Sequence, residues 1–412
     1  MTRPRLTTAH AALALVAVSA VALSGCVAKT DATSTDALTV TSTDTSCDVS
    51  TATAKSGTLT FAVSNKSSQV SEFYLLAEDG LRIIGEVENI SPGAERTLTV
   101  VAQPGKYKTL CKPGMVGEGV GRADFSVTGG AVASTGDDAE QKQKAVDLYA
   151  AFVKDQVEQL VPAVDAFTTA YESGRDDEAR AQFPTVRAFY ERIEPVAESL
   201  GDLDPRIDYR EVDAVAEGIE WTGFHRIEKD LWVPEKDALN ADGETPAWQD
   251  WSPSTTEERA TYGDKLVADV GELNDYVHSD AFQKALDAQG IAGISNGAIA
   301  LLDEVATGKI SGEEDWWSGT DLSDFAANVE GSKMAFSLVR EFASAAGSDG
   351  KTLSTEIARR YDDLNAALAA HGSLEKGFVA YKTLTEDDKR ELTDLINALA
   401  EPLSRLTSTV LQ

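Results

Sequence analysis

His225 and Glu228 stand three residues apart in the run Trp221-Thr222-Gly223-Phe224-His225-Arg226-Ile227-Glu228-Lys229-Asp230-Leu231-Trp232. On a helix that spacing puts an imidazole and a carboxylate on one face, where both can grip a single metal ion. Phe224, Ile227 and Leu231 supply the apolar flank that would carry His225 inward. A lone His-x-x-Glu recurs by chance, so its neighbours decide its weight. Glu191 and Glu194 again set two carboxylates three apart, beside Phe189, Tyr190 and Ile193. Like charges on one helical face call for solvent or a cation. Asp208 ends the Asp-rich stretch Gly201-Asp202-Leu203-Asp204-Pro205-Arg206-Ile207-Asp208. Together Glu191, Glu194, Asp208, His225 and Glu228 offer roughly four to six oxygen and nitrogen ligands, a set that suits iron, zinc or manganese better than Cu(I). The same residues also read as helix caps and surface ion pairs, and on residue types alone the two readings balance.

The remaining reagents are scarce. Cys47 and Cys111 invite a disulfide in a secreted chain, or thiolate ligation of a soft metal. Cys111-Lys112-Pro113-Gly114-Met115 has the spacing of a copper loop, with Met115 as a weak ligand. No histidine lies in that part of the chain, so a type-1 copper centre, which needs two, is excluded. Glu72, Glu86 and Glu88 add hard-ligand capacity there, or are solvated strand residues. A second metal site in that region would draw on Glu72, Glu86, Cys47, Cys111 and Met115. His278 and His371 sit at helix ends, where a cation favours the local dipole.

Two kinds of periodicity position these groups. Between residues 38 and 128, short runs such as Thr58-Leu59-Thr60-Phe61-Ala62-Val63 and Thr97-Leu98-Thr99-Val100-Val101 alternate and are rich in β-branched residues. Asn65-Lys66, Pro92-Gly93 and Pro104-Gly105 punctuate them as turns. A small all-β sandwich is expected there. A Gly-rich linker, residues 129–137, follows. From residue 138 to 412 the pattern is helical: Val146, Tyr149, Val153, Val157, Leu160, Val164 and Phe167 recur at spacings of three and four. Similar stripes return at 184–200, 211–232, 256–278, 281–305, 321–345, 352–370 and 386–410. The expected architecture is therefore multi-domain, a β sandwich followed by a larger all-α bundle.

Of 412 residues, 42% are hydrophobic and 25% charged, ordinary for a globular protein. Lys and Arg number 37 against 68 for Asp and Glu, a net charge of -31. Such a surface repels phosphate backbones, which excludes nucleic acid as a partner, and it favours cations. The helical part, residues 136–412, holds 56 of the acids against 26 basic side chains.

At the start, Arg3 and Arg5 precede an apolar stretch from Ala11 to Leu23, then Leu23-Ser24-Gly25-Cys26. Residues 1–25 have the form of a secretory signal, and Leu-Ser-Gly-Cys resembles the bacterial lipobox, whose cysteine becomes the lipidated N-terminus. Cys26 is thus the expected anchor and residues 26–37 a tether. The protein is expected outside the cytoplasm, fixed to the cell membrane as a lipoprotein.

Longer segments carry a family resemblance. Arg192-Ile193-Glu194-Pro195-Val196-Ala197-Glu198, Gly201-Asp202-Leu203-Asp204-Pro205 and Gly223-Phe224-His225-Arg226-Ile227-Glu228-Lys229 resemble signatures of the EfeO/EfeM iron-uptake family. So do the run from Leu301 to Asp315, Asp321-Leu322 and Asn328-Val329-Glu330-Gly331, while Glu86-Val87-Glu88-Asn89-Ile90-Ser91-Pro92-Gly93 resembles the family's cupredoxin-like half. The resemblance implies a cupredoxin-like β domain followed by an imelysin-like helical domain. It implies that His225 and Glu228 are the metal pair, with Glu191, Glu194 and Asp208 as matching acids and a further ligand from a later helix, Glu304 or in its place Glu272. The implied cargo is iron, as Fe(III) or Fe(II), with zinc or copper as other metals. The implied partners are an EfeU-type permease and an EfeB-type haem peroxidase, and no catalytic residues are implied. One departure stands out: a histidine is expected in the Ser-x-Thr-Asp-Leu segment, where this chain has Gly319. Two other functions fit parts of the sequence. A zinc peptidase would need an open coordination position and a general base, but there is no His-Glu-x-x-His. A glycan-binding lipoprotein with a structural metal would use Trp248, Trp251, Trp316 and Trp317 as stacking surfaces.

Overall fold

Alternating burial along the early strands builds two facing sheets. The computed structural model describes residues 37–80, 83–115, 117, 119–132, 138–198 and 201–412. Residues 1–36, with the expected signal segment, Cys26 and nearly all of the expected tether, and residues 133–137 of the linker lie outside the described residues. One sheet has the order β2 (Cys47–Val49), β1 (Leu38–Ser42), β4 (Gly57–Asn65), β7 (Glu95–Ala102). The other runs β3 (Thr53–Lys55), β9 (Val120–Thr128), β8 (Gly105–Cys111), β5 (Ser71–Ala77), β6 (Ile83–Ile90). The two runs that alternate most cleanly pair antiparallel, with Thr58 opposite Val101 and Phe61 opposite Leu98. Leu59, Phe61 and Val63 point into the sandwich with Phe73, Leu75 and Phe125.

Strand β5 is buried along its whole length, because both of its faces are covered. Phe73 and Leu75 face the sandwich core, so the pleat turns Glu72, Tyr74 and Leu76 to the opposite side. Cross-strand pairing sets Glu86 of β6 beside Tyr74. Cys47 and Cys111 are joined as a disulfide between β2 and β8. It closes a span of 64 residues, worth about 4 kcal/mol in the chain-entropy account. Bonded sulfurs have no thiolate to offer, so Cys47 and Cys111 are not metal ligands here.

The helical part begins with α1 (Ala139–Glu172) and α2 (Asp176–Glu191). Three short helices follow, α3 (Glu194–Glu198), α4 (Leu203–Ile207) and α5 (Glu211–Glu217), and then α6 (Gly223–Leu231). The long elements are α7 (Thr256–Val277), α8 (Asp280–Thr307), α9 (Asp321–Ala345) and α10 (Gly347–Leu368). A two-residue hairpin, β10 (Gly372–Ser373) and β11 (Gly377–Phe378), leads to α11 (Glu386–Leu403) and α12 (Leu406–Val410). The continuous stripe read over 211–232 is in fact two helices: Gly218 and Gly223 take φ of 68° and 83°, and the chain turns between them. The pair Glu191 and Glu194 likewise straddles a break, at the end of α2 and the start of α3.

Helix α8 joins the two halves of the fold, packing on β6 and β7 as well as on α1 and α9. Its backbone departs from helical geometry at Gly290 (φ 58°, ψ -149°). Asp303 of α8 pairs with Arg96 of β7 at 2.9 Å, and Asn296 donates to the Thr99 carbonyl at 2.9 Å. Sandwich and helices thus belong to one compact unit, despite the Gly-rich connection between them. Among the described residues no helix is long and apolar enough to cross a membrane.

Candidate metal centre

Helix α6 is buried at every residue from Gly223 to Leu231. Phe224 packs against Phe167 and Phe183, with ring centroids 6.1 and 6.5 Å away, which fixes the helix's rotation. Its start is fixed by contact with α4: Thr222 donates to the Arg206 carbonyl at 2.9 Å, and a Cβ on Gly223 would lie 2.1 Å from the Ile207 carbonyl oxygen. That abutment brings His225 to Asp208.

Four carboxylates surround the imidazole. Nδ1 lies 3.1 Å from Glu228 and 3.9 Å from Asp315, while Nε2 lies 3.3 Å from Glu314 and 3.5 Å from Asp208. The second oxygen of Glu228 accepts the backbone N–H groups of Trp317 at 3.1 Å and Ser318 at 2.8 Å. The carboxylate is therefore held by main chain as well as by His225. Burial and the neighbouring Arg187 charge oppose protonation of His225, but hydrogen bonds to Glu228 and Glu314 and the charge of Asp208 prevail, holding its pKa at about 10. Glu314 is held well below the usual carboxylate range: its burial is outweighed by Lys309 and His225.

Ligand atoms converge in three overlapping groups, each within 4.8 Å: Glu191, Glu194 and Asp208; Asp208, His225 and Glu314; His225, Glu228 and Asp315. Two buried cations neutralise this chain of acids. Arg187 is completely buried and donates to Glu191 at 2.5 Å and Asp324 at 3.0 Å, with a further short bond to Asp208. It also lies 3.4 Å from Glu314 and 3.5 Å from Asp315. Lys309, equally buried, sits 3.0, 3.1 and 2.9 Å from Glu191, Glu194 and Glu304. Even so, Asp321 Oδ2 and Asp324 Oδ1 are buried with no hydrogen-bond donor. Such oxygens are costly to leave unpaired. Oxygen and imidazole donors with acceptor capacity to spare fit iron, zinc or manganese.

The positions singled out from sequence thus divide. His225, Glu228 and Asp208 meet in the cage, and Glu191 and Glu194 reach it through Asp208. Glu304 does not: it lies on the Lys309 side, because it projects from α8 rather than from the loop after it. Glu272 is far from the cage role, exposed and paired with Arg206 at 2.8 Å. The residues that close the cage, Glu314 and Asp315, come from the segment before α9 and were not among the predicted ligands. Their place in the run Glu313-Glu314-Asp315 was the available signal. Gly319 lies in the same segment with φ of 70°, in the left-handed region. His278 caps α7, 2.8 Å from the Asn274 carbonyl, well away from the site.

Beyond the cage opens a cleft of about 990 Å³ between sandwich and helices. Glu72, Glu86 and Glu88 line its β wall, and Glu194, Asp208, Glu304 and Glu314 its helical wall, so the cage residues Asp208 and Glu314 face it. Eleven acids and three basic residues line the cleft in all. Burial raises Glu72 to about 7, although Lys112 and a hydrogen bond from Tyr74 oppose it. Burial and then the charges of Glu72 and Glu304 raise Glu86 to about 8. Met115 borders this cleft too.

Behind the cage is a recess of about 20 Å³, bordered by His225, Glu228, Trp221, Trp316 and Trp317. Three of the four tryptophans named as stacking surfaces carry a cation on their faces, Lys229 over Trp251 and Trp317 at 5.0 and 4.9 Å and Lys236 over Trp248 at 2.9 Å, while Trp316 stays exposed. That packing leaves little of the stacking platform a glycan would need.

Both halves of the chain match known families. The imelysin family matches residues 145–406, and the cupredoxin-like domain family matches residues 12–120. The iron uptake system component EfeO of Escherichia coli O157:H7 is 34% identical over 369 residues, 89% of this chain and 89% of that protein. The proteins of the same name from Escherichia coli strain K12 and from Shigella flexneri align with the same identity and coverage.

Proposed function

The chain belongs to the EfeO family, and from that premise we propose that it is the iron-binding component of an uptake system, held outside the cell membrane by a lipid on Cys26. The observation that carries this reading is the buried cage of His225, Glu228, Asp208, Glu314 and Asp315, which opens on an acidic cleft. A cleft with excess negative charge concentrates cations at its walls. Asp208 and Glu314 face both spaces, so a cation collected there has a continuous series of carboxylates leading to His225. Glu72 and Glu86 supply a second station on the β wall of the cleft, which Met115 also borders. With both cysteines in a disulfide, that station favours a hard ion over Cu(I). Delivery would be to an EfeU-type permease, with an EfeB-type haem peroxidase as the other partner. The role is binding rather than hydrolysis. The relatives are named as uptake components, and the single imidazole and main-chain-held Glu228 lack the second histidine that most catalytic zinc sites use.

The test is calorimetric titration of the purified protein with Fe(II) under anaerobic conditions. Saturable binding is expected, weakened by at least about a hundredfold in the His225→Ala/Glu228→Ala double variant, since losing a single outer-shell partner of a ligand already costs about 10- to 100-fold. No binding by the natural protein, or binding untouched by the double substitution, removes the reading. Chelator-sensitive cleavage of casein would put a peptidase in its place.

A further inference from the structure

A guanidinium occupies the middle of the cage. Arg187 touches a member of each of the three ligand groups: Glu191 in the first, Asp208 and Glu314 in the second, Asp315 in the third. It has no access to solvent, and Phe183 and Phe224 pack beside it, their centroids 5.7 and 5.6 Å from the guanidinium carbon and 6.5 Å from each other. A guanidinium does not shed its charge at any accessible pH, so it cannot leave the cage as a neutral group. On the side away from the cleft, its Nε bonds Asp324, whose other oxygen has no donor at all.

Resting on the proposed cation-binding role, we propose that Arg187 is a tethered stand-in for the cargo. It fills the cage when no metal is bound, and it yields Asp208, Glu314 and Asp315 to an incoming cation while staying on Glu191 and Asp324. The unpaired oxygen of Asp324 gives the withdrawn guanidinium a second acceptor on the side it retreats to. Two consequences follow from the charges. The empty cage stays folded because Arg187 offsets carboxylates that would otherwise repel one another at close range. The loaded cage holds its cargo less tightly than its ligands alone would allow, since a fixed positive charge remains within a few ångströms. Arg187 is thus an affinity-setting residue, suited to a protein that must hand its cation on.

Arg187→Met keeps the aliphatic length and removes the charge. By titration with Zn(II) and with Fe(II), this variant is expected to bind at least tenfold tighter than the natural protein and to release more slowly to a chelator. Arg187→Lys, which retains the charge, should return the affinity to within a few-fold of the natural value. Metal-free Arg187→Met should melt at lower temperature and recover when Zn(II) is added; a variant that folds only with Zn(II) present supports the exchange equally. A second measurement uses the natural protein: the ¹⁵N–¹H signal of the Arg187 side chain, assigned with Arg187→Lys, should shift on titration with Zn(II). Affinity of Arg187→Met equal to or weaker than natural, or an Arg187 signal unmoved by saturating Zn(II), overturns the proposal. If the natural protein binds neither metal, it is the cation-binding role itself that fails.

Discussion

Replacing Gly223 with alanine is expected to cost on the order of 3 kcal/mol of stability and to abolish tight cation binding, although the residue holds no ligand. The argument is steric. A methyl there would approach the Ile207 carbonyl oxygen to 2.1 Å and the Arg206 carbonyl oxygen to 2.8 Å, both backbone atoms that cannot swing aside. The residue also sits at φ of 83°, which disfavours any side chain. Relief requires α6 to move off α4, and that movement carries His225 away from Asp208. Strain and overpacking of this kind have effects of the stated size. Urea denaturation and metal titration of Gly223→Ala check both halves. A variant with natural stability and natural affinity would mean that the α4–α6 abutment does not position the imidazole.

Metal-free protein should become less stable as pH rises from about 5 to 8, the reverse of a protein held by ordinary surface ion pairs. Burial raises Glu72 and Asp321 to about 7, and Asp208 and Asp303 to about 6, with Arg187 and Arg96 opposing the rise at the last two. An acid whose folded pKa exceeds its unfolded value contributes stability that is complete below the unfolded value and is lost as pH climbs through the folded one. Here that window runs from about 4 to about 7. His225 has the same sign over a higher window, since a pKa raised to about 10 means stability lost progressively as pH climbs from about 6.5 to about 10. Glu314 acts oppositely, below pH 4.5, where its ion pairs fail as it is protonated. A tenfold change in a group's acidity on folding corresponds to about 1.4 kcal/mol, and allowing for coupling among these groups the net change is on the order of 5 kcal/mol. Thermal melts at pH values of about 5.5 and 8 should differ by about 6 °C in favour of the lower pH. Added Zn(II) should close most of that gap, because a cation binds the ionised carboxylates. A melting temperature that is flat or rises over this range would show that the buried acids are better compensated than their surroundings indicate.

The fold class was legible because each half repeats one period. Thr58 to Val63 alternates as β4 does, and the spacing from Val146 to Phe167 is that of α1. Turn residues marked strand ends well: Asn65 closes β4, and Pro104-Gly105 opens β8. The breaks flanking α5 were hidden, since the apolar pattern runs through Gly218 and Gly223 without interruption and only φ reveals the turn. At the site, His225 and Glu228 were visible because they are three apart on one helix. Glu314 and Asp315 were not, being 89 and 90 residues from His225, a separation no local pattern encodes. Arg187 left a subtler trace. It falls four residues after Phe183 and three before Tyr190, on the buried stripe of α2, where a charged residue needs a buried partner. Lys309 gave no such signal, since the turn after α8 has no stripe against which to judge it.

All six tryptophans fall between residues 221 and 317, and the sandwich has none. Trp317 donates its main-chain N–H to Glu228, and with Trp221 and Trp316 it borders the recess behind His225. Ultraviolet emission from this protein is therefore a local gauge. Any rearrangement of Glu228 pulls on the Trp317 main chain through one hydrogen bond and so shifts the indole that this backbone carries, whereas events confined to the β wall lie away from every tryptophan. Brightness and colour changes during titration would distinguish filling of the inner cage from occupancy of the outer wall without any label.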